Sequence, residues 1–473
     1  MEISASNSTR NGGVLATLKH HLPLILCEIA LLLSLLVLDR PLIRGDAVAY
    51  FMWTASIGYD FDMDLENQAE QFGELNTYMA IRNPQTGRYG SAFAWGQGIV
   101  LQPAFQVARL LNLLPTMRVN DDWFYALQRF PYAFSLLAML QVNVMTMLSL
   151  ALVYTLARRL GIAALPAAWA GLMTAWGTPL LYYSSIQPLY AHAAATFVHT
   201  GALVLFLFNL TAQRPLSWWR WLSNGLVFGL AALVRWQLAL SIIPCGAVLL
   251  YFVIKKERHT TWSGLVALGL GFAALVWHIP YTFNWMFGSP FSTAMGEGFV
   301  STPRFLWELL FSNYRGFFLW SPIALLGVVG LLIGPRRHWE TRLILLSVII
   351  AQVLINAGVE TWSGGESFGL RRLTELYPAL VLGVAMILSV GYTSVRRAGY
   401  VLTGVLALYG IVLLFAALIF SYFTLPEMGY VSKQPVDTVT NVLTFFFSPP
   451  KFDLIWPMME HHFGWWAWSM PGP

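Results

Sequence analysis

The chain has 473 residues, of which 57% are hydrophobic and only 11% are Asp, Glu, Lys or Arg, with a formal net charge of +5. Soluble domains carry about 25% charged residues, so this chain lacks the polar surface to cover itself in water; disorder, collagen-like repeats and a disulfide scaffold are excluded by the same composition. Nucleic-acid binding would need basic residues clustered on a solvated face, and here the surplus is scattered. What remains is an all-α polytopic membrane protein. Cys27 and Cys245 both lie in apolar runs and read as small buried hydrophobes.

Taken in chain order, a cytoplasmic tail over 1–21 precedes a first apolar run at 22–38. That run ends in Leu38-Asp39-Arg40-Pro41 without a small-residue cleavage site, and is expected to stay as a signal anchor. About eleven stretches have the length a bilayer core demands. They fall at 22–38, 126–157, 163–182, 188–209, 221–235, 237–254, 262–286, 317–334, 341–358, 374–394 and 398–422. Between 221 and 254 only Arg235 and Trp236 mark a break, so two spans or a re-entrant hairpin both satisfy the pattern. The resulting organisation is a transmembrane module over 22–395 with a large first outer loop at 39–125, a last helix over 396–422 and an aromatic outer tail over 423–473.

The charges in the connections are sorted. Loops assigned to the cytoplasm carry Arg158, Arg159, Arg214, Arg220, Lys255, Lys256, Arg258, Arg336, Arg337, Arg342, Arg396 and Arg397, joined by Arg10 and Lys19 of the tail and opposed only by Glu2, Glu257 and Glu340. This positive-inside pattern places the amino terminus in the cytoplasm and the acidic loops outside.

The first outer loop opens at Arg44-Gly45-Asp46 with an apolar stretch too short to cross a bilayer, predicted to be an interfacial helix with Asp46 and Tyr50 on one face. Asp60, Asp62, Asp64, Glu66, Glu70 and Glu74 follow, then a turn over Asn83-Pro-Gln-Thr-Gly-Arg88 and a second interfacial helix from Phe93 to Leu114. The outer tail, with Phe445-Phe446-Phe447, Trp465, Trp466 and Trp468, suits the membrane boundary. A carboxylate at Asp46, held beside Tyr50 and Trp53 near the surface, would be partly desolvated, which suits a general base; an ordinary helix-capping role fits the Gly45-Asp46 start equally. Asp60, Asp62 and Asp64 alternate, so an extended strand would turn all three to one side, where they could hold a divalent cation through oxygen ligands; a solvated acidic turn is the alternative.

These segments together resemble the GT-C superfamily of integral-membrane glycosyltransferases, which includes the protein mannosyltransferases and the aminoarabinose transferases of lipid A. The likeness is carried by the short tail and single span before Gly45-Asp46-x-x-x-Tyr50, by Asp60-Phe-Asp-Met-Asp-Leu-Glu-Asn67, by Asn83–Arg88 and Phe93-Ala-Trp-Gly96, and later by Ser312-Asn-Tyr-Arg-Gly-Phe-Phe-Leu-Trp-Ser-Pro322 and Trp362-Ser-Gly-Gly-Glu-Ser-Phe-Gly-Leu-Arg-Arg372. It spans about 22–395. Many relatives carry a glutamate directly after the aspartate, where this chain has Ala47.

The resemblance implies a GT-C-type bundle in a bacterial inner membrane, with a polyprenyl-phosphate-linked sugar as donor on the periplasmic face. The acceptor would be a hydroxyl of a lipid, glycan or protein. Asp46 would take the acceptor proton in a single inverting displacement. A phosphate leaving group calls for cations, and Arg371 and Arg372 are the best placed, with Glu366 and Glu375 as their alternative ion-pair partners. Arg315 is a second candidate. Arg235 lies in apolar sequence, where it would either snorkel to the outer surface or meet the lipid phosphate. Trp95 and Trp362 are candidates for sugar stacking. Tyr50, Arg371, Arg372, Arg315, Arg235, Trp362 and Glu366 thus form the expected substrate-binding set. His192, His278 and Glu28 read as packing or bundle-pairing residues. Two other classes share the composition: a transporter or flippase of lipid-linked sugars, and a non-catalytic scaffold of the same fold.

Overall fold

The structure, a computed structural model, describes residues 6–39, 43, 45–72, 81–111, 132–290, 302–365, 368–390 and 392–422. Glu74, Glu366 and the aromatic outer tail lie outside the described residues. Helix α1 (Ser6–Leu38) is followed by α2 (Asp46–Ala55), a π-helical turn at Ser56–Asp60 and α3 (Glu66–Phe72). A two-stranded antiparallel hairpin sets β1 (Ile81–Arg82) against β2 (Tyr89–Gly90), with Ile81 opposite Gly90. Then come α4 (Gly96–Val100), α5 (Gln102–Leu110), α6 (Tyr132–Arg159), α7 (Ala164–Trp176), α8 (Leu180–Ser185), α9 (Ala191–Leu210) and α10 (Trp218–Val234). A 3-10 turn at Trp236–Ser241 leads into α11 (Ile242–Lys255), followed by α12 (Trp262–Val276) and α13 (His278–Phe287). The rest of the bundle is α14 (Leu306–Phe311), α15 (Phe317–Trp320), α16 (Pro322–Ile333), α17 (Trp339–Ala357), a 3-10 turn at Arg371–Leu376, α18 (Tyr377–Leu388) and α19 (Thr393–Tyr422).

The chain is a multi-pass membrane protein, and among the described residues each apolar stretch read from the sequence contains helix. Seven helical segments among the described residues are long and apolar enough to cross a bilayer. The other four stretches are shorter helices. The 163–182 stretch is cut at Gly177, where α8 restarts after Pro179, and α16 and α18 each begin with a proline in the first turn. The pair between 221 and 254 is two helices that meet at Arg235, whose backbone is extended (φ −147°, ψ 112°).

The interfacial reading of the first outer helix needs correction. Every residue of α2 from Ala47 to Ala55 is buried, and Trp53 donates its indole N–H to the Phe93 carbonyl at 2.9 Å. An apolar stretch with no polar face has nothing to offer water, so it packs inside the protein instead. The predicted second helix forms as two pieces, α4 and α5, of which α5 keeps Val107 and Leu110 exposed and Phe105 buried. The predicted turn at Asn83–Arg88 is present: the Asn83 side chain accepts from the N–H groups of Gln85 and Thr86.

The basic loops gather at one end of the bundle. Arg158 reaches His20 at 2.8 Å, Arg159 donates to the Thr211 carbonyl at 3.2 Å, and Arg258 pairs with Glu340. Arg342 caps the end of α16 through the carbonyls of Leu331 and Gly334. Helix α9 runs from the opposite end, at Ala191, toward this one, and its 20 residues span about 30 Å.

The crossing of α16 and α18 depends on glycine. A Cβ on Gly330 of α16 would be driven into the Gly383 carbonyl of α18, and one on Gly383 into Gly327. Backbones approach this closely only where side chains are missing. Gly330→Ala is therefore expected to destabilise the protein by about 1–3 kcal/mol, although alanine is the better helix former. Gly246→Ala on α11, where a Cβ meets nothing within 4 Å, should be neutral or slightly stabilising. Thermal unfolding of both variants in detergent checks the contrast.

Asp39, just past α1, is 1% exposed and accepts from the Asn143 amide at 2.6 Å, while its other oxygen has no partner among the described residues. Burial pushes this carboxyl up to about 8, against the Asn143 hydrogen bond. The folded protein thus favours the protonated acid. The stabilisation is complete below the ordinary carboxylate range near 4 and is lost as pH rises through about 8. Wild-type melting temperature should fall from about pH 5 to about pH 9, and Asp39→Asn should flatten that fall.

Candidate active site

At the end of the bundle opposite the basic loops lies a cavity of about 480 Å³, walled by Asp46 and Tyr50 of α2, His192 of α9, Arg235, and Arg371 and Arg372. Ala92, Phe93 and Ala94 of its lining follow directly on the hairpin. Thr86 donates to the Met286 carbonyl at 2.7 Å and Arg88 to that of Trp285 at 3.1 Å, pinning the turn to the end of α13. The following segment thereby brings Phe93 edge-on to Tyr50 at 5.3 Å.

Asp46 is placed by the chain entry into α2. Gly45 adopts φ +56°, and a Cβ there would strike the Tyr190 hydroxyl. That hydroxyl accepts from the Asp46 backbone N–H at 3.3 Å. The Asp46 carboxylate meets Arg371 Nη1 at 2.5 Å, with side chains 17% and 18% exposed respectively. Arg371 lies with its guanidinium 5.7 Å from the Tyr190 ring centroid, and passes Gly364, where a Cβ would stand 3.0 Å from its Nε. Burial opposes the Arg371 charge, but the Asp46 carboxylate overrides it and holds this guanidinium above the ordinary arginine range. Burial likewise pushes the Tyr50 phenol up, so it stays a neutral hydroxyl.

Arg372, the next residue of the 3-10 turn, lines the cavity beside Thr361, to whose Oγ1 it donates at 2.7 Å. Arg235 projects from the break between α10 and α11. Its Nε lies 3.0 Å from Glu375 Oε1, its Nη1 lies 2.7 Å from His192 Nδ1, and the Gln237 amide, oriented with its oxygen inward, accepts from Nη2 at 2.5 Å. Three arginines face two carboxylates, Asp46 and Glu375, leaving one net positive charge around the cavity. Such a site suits an anion, and the guanidinium forks suit phosphate oxygens.

The structure thus brings together Asp46, Tyr50, Arg235, Arg371 and Arg372. The expected ion pairing is rearranged: Arg371 pairs with Asp46, and Glu375 with Arg235. Arg235 does not snorkel; its side chain is 11% exposed and anchored inward. Arg315 is 1% exposed, stacked 5.1 Å from the Tyr314 ring and outside the cavity lining, and burial lowers its pKa. Trp362 packs edge-on to Tyr314 at 6.4 Å, and its neighbours Thr361 and Gly364 line the cavity in its stead. His278 packs against Trp95. Ala47 is 1% exposed and faces packed interior.

The acidic run departs from expectation too. Asp60 closes a π-helical turn and Phe61 has φ +59°, so no extended strand aligns the three carboxylates. Asp60 accepts from Asn67 and Gln68 at 2.7 Å each, Asp62 from Ser56 at 3.0 Å, and Asp64 from the Glu66 N–H at 3.0 Å. Among the described residues no three His, Cys, Asp or Glu side chains converge as a metal site would require. These carboxylates organise their own loop. The sequence carries no sign of the His192 contact, and for Glu375 only the spacing Arg371-Arg372-x-x-Glu375, which places one acid a turn beyond two bases; the structure pairs that acid with Arg235.

No protein-family model matches the sequence, and no curated protein does. Solved structures do match. The oligosaccharyltransferase AglB from Archaeoglobus fulgidus, in complex with an inhibitory peptide and a dolichol-phosphate, superposes with a TM-score of 0.52 over 87% of this chain at 13% identity. Its apo form gives 0.53 at 14% identity over the same share. The fold is GT-C. ArnT from Cupriavidus metallidurans bound to undecaprenyl phosphate is similar at a TM-score of 0.46 and 14% identity, over 89% of this chain and 75% of that one. The present chain covers 59% of the length of AglB.

Proposed function

We propose that this GT-C-fold protein is a glycosyltransferase that moves a sugar from a polyprenyl-phosphate donor to a hydroxyl acceptor on the non-cytoplasmic membrane face. The observation that carries the proposal is the contact of Asp46 with Arg371 inside a cationic cavity, at the end of the bundle opposite the basic loops. The dolichol-phosphate in the AglB complex supports a lipid phosphate as the anion.

The arrangement lends itself to one displacement. The donor phosphate is held by the guanidinium of Arg371, with Arg235 and Arg372 completing the cationic wall. As phosphate oxygens engage Arg371, the Asp46 carboxylate gives up part of its ion pair and turns to the acceptor hydroxyl. It takes the hydroxyl proton as the acceptor oxygen bonds to the anomeric carbon. The bond from that carbon to the phosphate oxygen breaks, its electron pair stays on that oxygen, and the arginines stabilise the charge of the departing lipid phosphate. No protein nucleophile is needed, so the anomeric configuration inverts. Nuclear magnetic resonance of the product linkage tests this: inversion relative to the donor is expected, and net retention would contradict direct attack aided by Asp46.

A further inference from the structure

Beneath the cavity lies a second layer of polar groups that no step above uses. From its geometry we infer that Glu375 is a positioning residue, which holds the Arg235 guanidinium in register for the donor phosphate. This inference rests on the reading of the cavity as a lipid-phosphate site.

The case begins with the chain around Arg235. Helix α10 stops at Val234, and Arg235 is extended before the 3-10 turn begins. A long side chain at such a break has no helical neighbours to fix its rotamer. Glu375 supplies the constraint. It is 2% exposed, below the cavity floor, and its Oε1 receives Arg235 Nε at 3.0 Å. His192 completes the clamp. Its Nδ1 lies 2.7 Å from Arg235 Nη1 and 3.2 Å from Glu375 Oε1. A guanidinium can only donate, so the shorter contact makes Nδ1 an acceptor and the imidazole neutral. The charge pairing is therefore between Arg235 and Glu375 alone.

Glu375 is itself held from behind. His199, seven residues beyond His192 and two turns along α9, contacts the Glu375 backbone carbonyl through Nδ1 at 2.9 Å. The carbonyl can only accept, so Nδ1 carries the proton. Nε2, 3.0 Å from Ser241 Oγ, is then left to accept from that hydroxyl. One helix thus holds Glu375 by its backbone through His199 and the paired Arg235 guanidinium through His192, and the same 3-10 turn that carries Glu375 carries Arg371 and Arg372. Cation spacing across the cavity is set by a single short element.

A double-mutant cycle tests the assignment, read as binding of undecaprenyl phosphate to the full-length protein in nanodiscs. Glu375→Gln and Arg235→Lys should each weaken binding roughly tenfold, and the double variant should be no weaker than the worse single one, because both remove the same oriented guanidinium. In turnover, Glu375→Gln should raise donor KM in proportion and leave kcat within about twofold. Unchanged affinity in Glu375→Gln, or losses that multiply in the double variant, would overturn the positioning role while leaving the proposed function standing. If the wild type shows no saturable binding, both fall. Should Glu375→Gln fail to fold, the cycle is read with Glu375→Asp, which keeps the charge and withdraws it by one methylene; coupling is again expected, and independence again overturns it.

Discussion

Asp46→Asn should abolish sugar transfer while the protein still folds and still binds polyprenyl phosphate. A general base contributes roughly a hundred- to ten-thousand-fold to such a step, and an amide of the same shape cannot take the proton. The amide oxygen can still accept from Arg371, so the local packing has no reason to change. Binding should behave in the opposite sense from turnover. In the wild type the carboxylate holds Arg371 at 2.5 Å and competes with any incoming anion for the same guanidinium. The neutral amide competes less, so the variant should bind the lipid phosphate at least as tightly as wild type. Isothermal titration with undecaprenyl phosphate, run beside a turnover assay, checks both halves. Wild-type turnover in Asp46→Asn would remove the residue from the mechanism.

Arg371→Gln should injure both parameters. Removing one preorganised donor from a developing anion typically costs about a hundred- to a thousandfold in kcat. In the proposed reaction the same side chain also meets the ground-state phosphate, so donor KM should rise as well. Arg371→Lys should recover only part of the loss, because a point charge replaces a planar fork. The contrast with Asp46→Asn, in which only kcat falls, separates the anion ligand from the base. A variant Arg371→Gln with wild-type donor KM would contradict the assignment.

Much of this was legible in the chain. The membrane class, the position of each apolar stretch, the turn at Asn83–Arg88 and the sorting of basic loops all follow from local composition and periodicity. Asp46 and Arg371 were also visible, as a lone acid and a cation pair at the outer ends of spans. Their pairing was not, because residues 325 positions apart leave no trace of contact in a single sequence. Helix α2 was misjudged for a related reason. A ten-residue apolar stretch looks the same whether it lies on a bilayer or inside a protein, and only the surrounding helices decide. The alternating Asp60, Asp62 and Asp64 suggested a strand, but the π-helical turn before them set their directions differently. His192 and Glu375 were hidden most completely: their roles arise where α9, the break at Arg235 and one 3-10 turn converge.

The most direct test of the central claim follows the fate of the donor. Wild-type protein in nanodiscs is mixed with a polyprenyl-phosphate sugar and a membrane extract as source of acceptor, and lipids are followed by mass spectrometry. The account predicts conversion of the donor to free polyprenyl phosphate by the wild type, with none above background in Asp46→Asn. Conversion at equal rates in both proteins would contradict it, as would movement of the intact lipid-linked sugar across proteoliposome membranes without any chemical change.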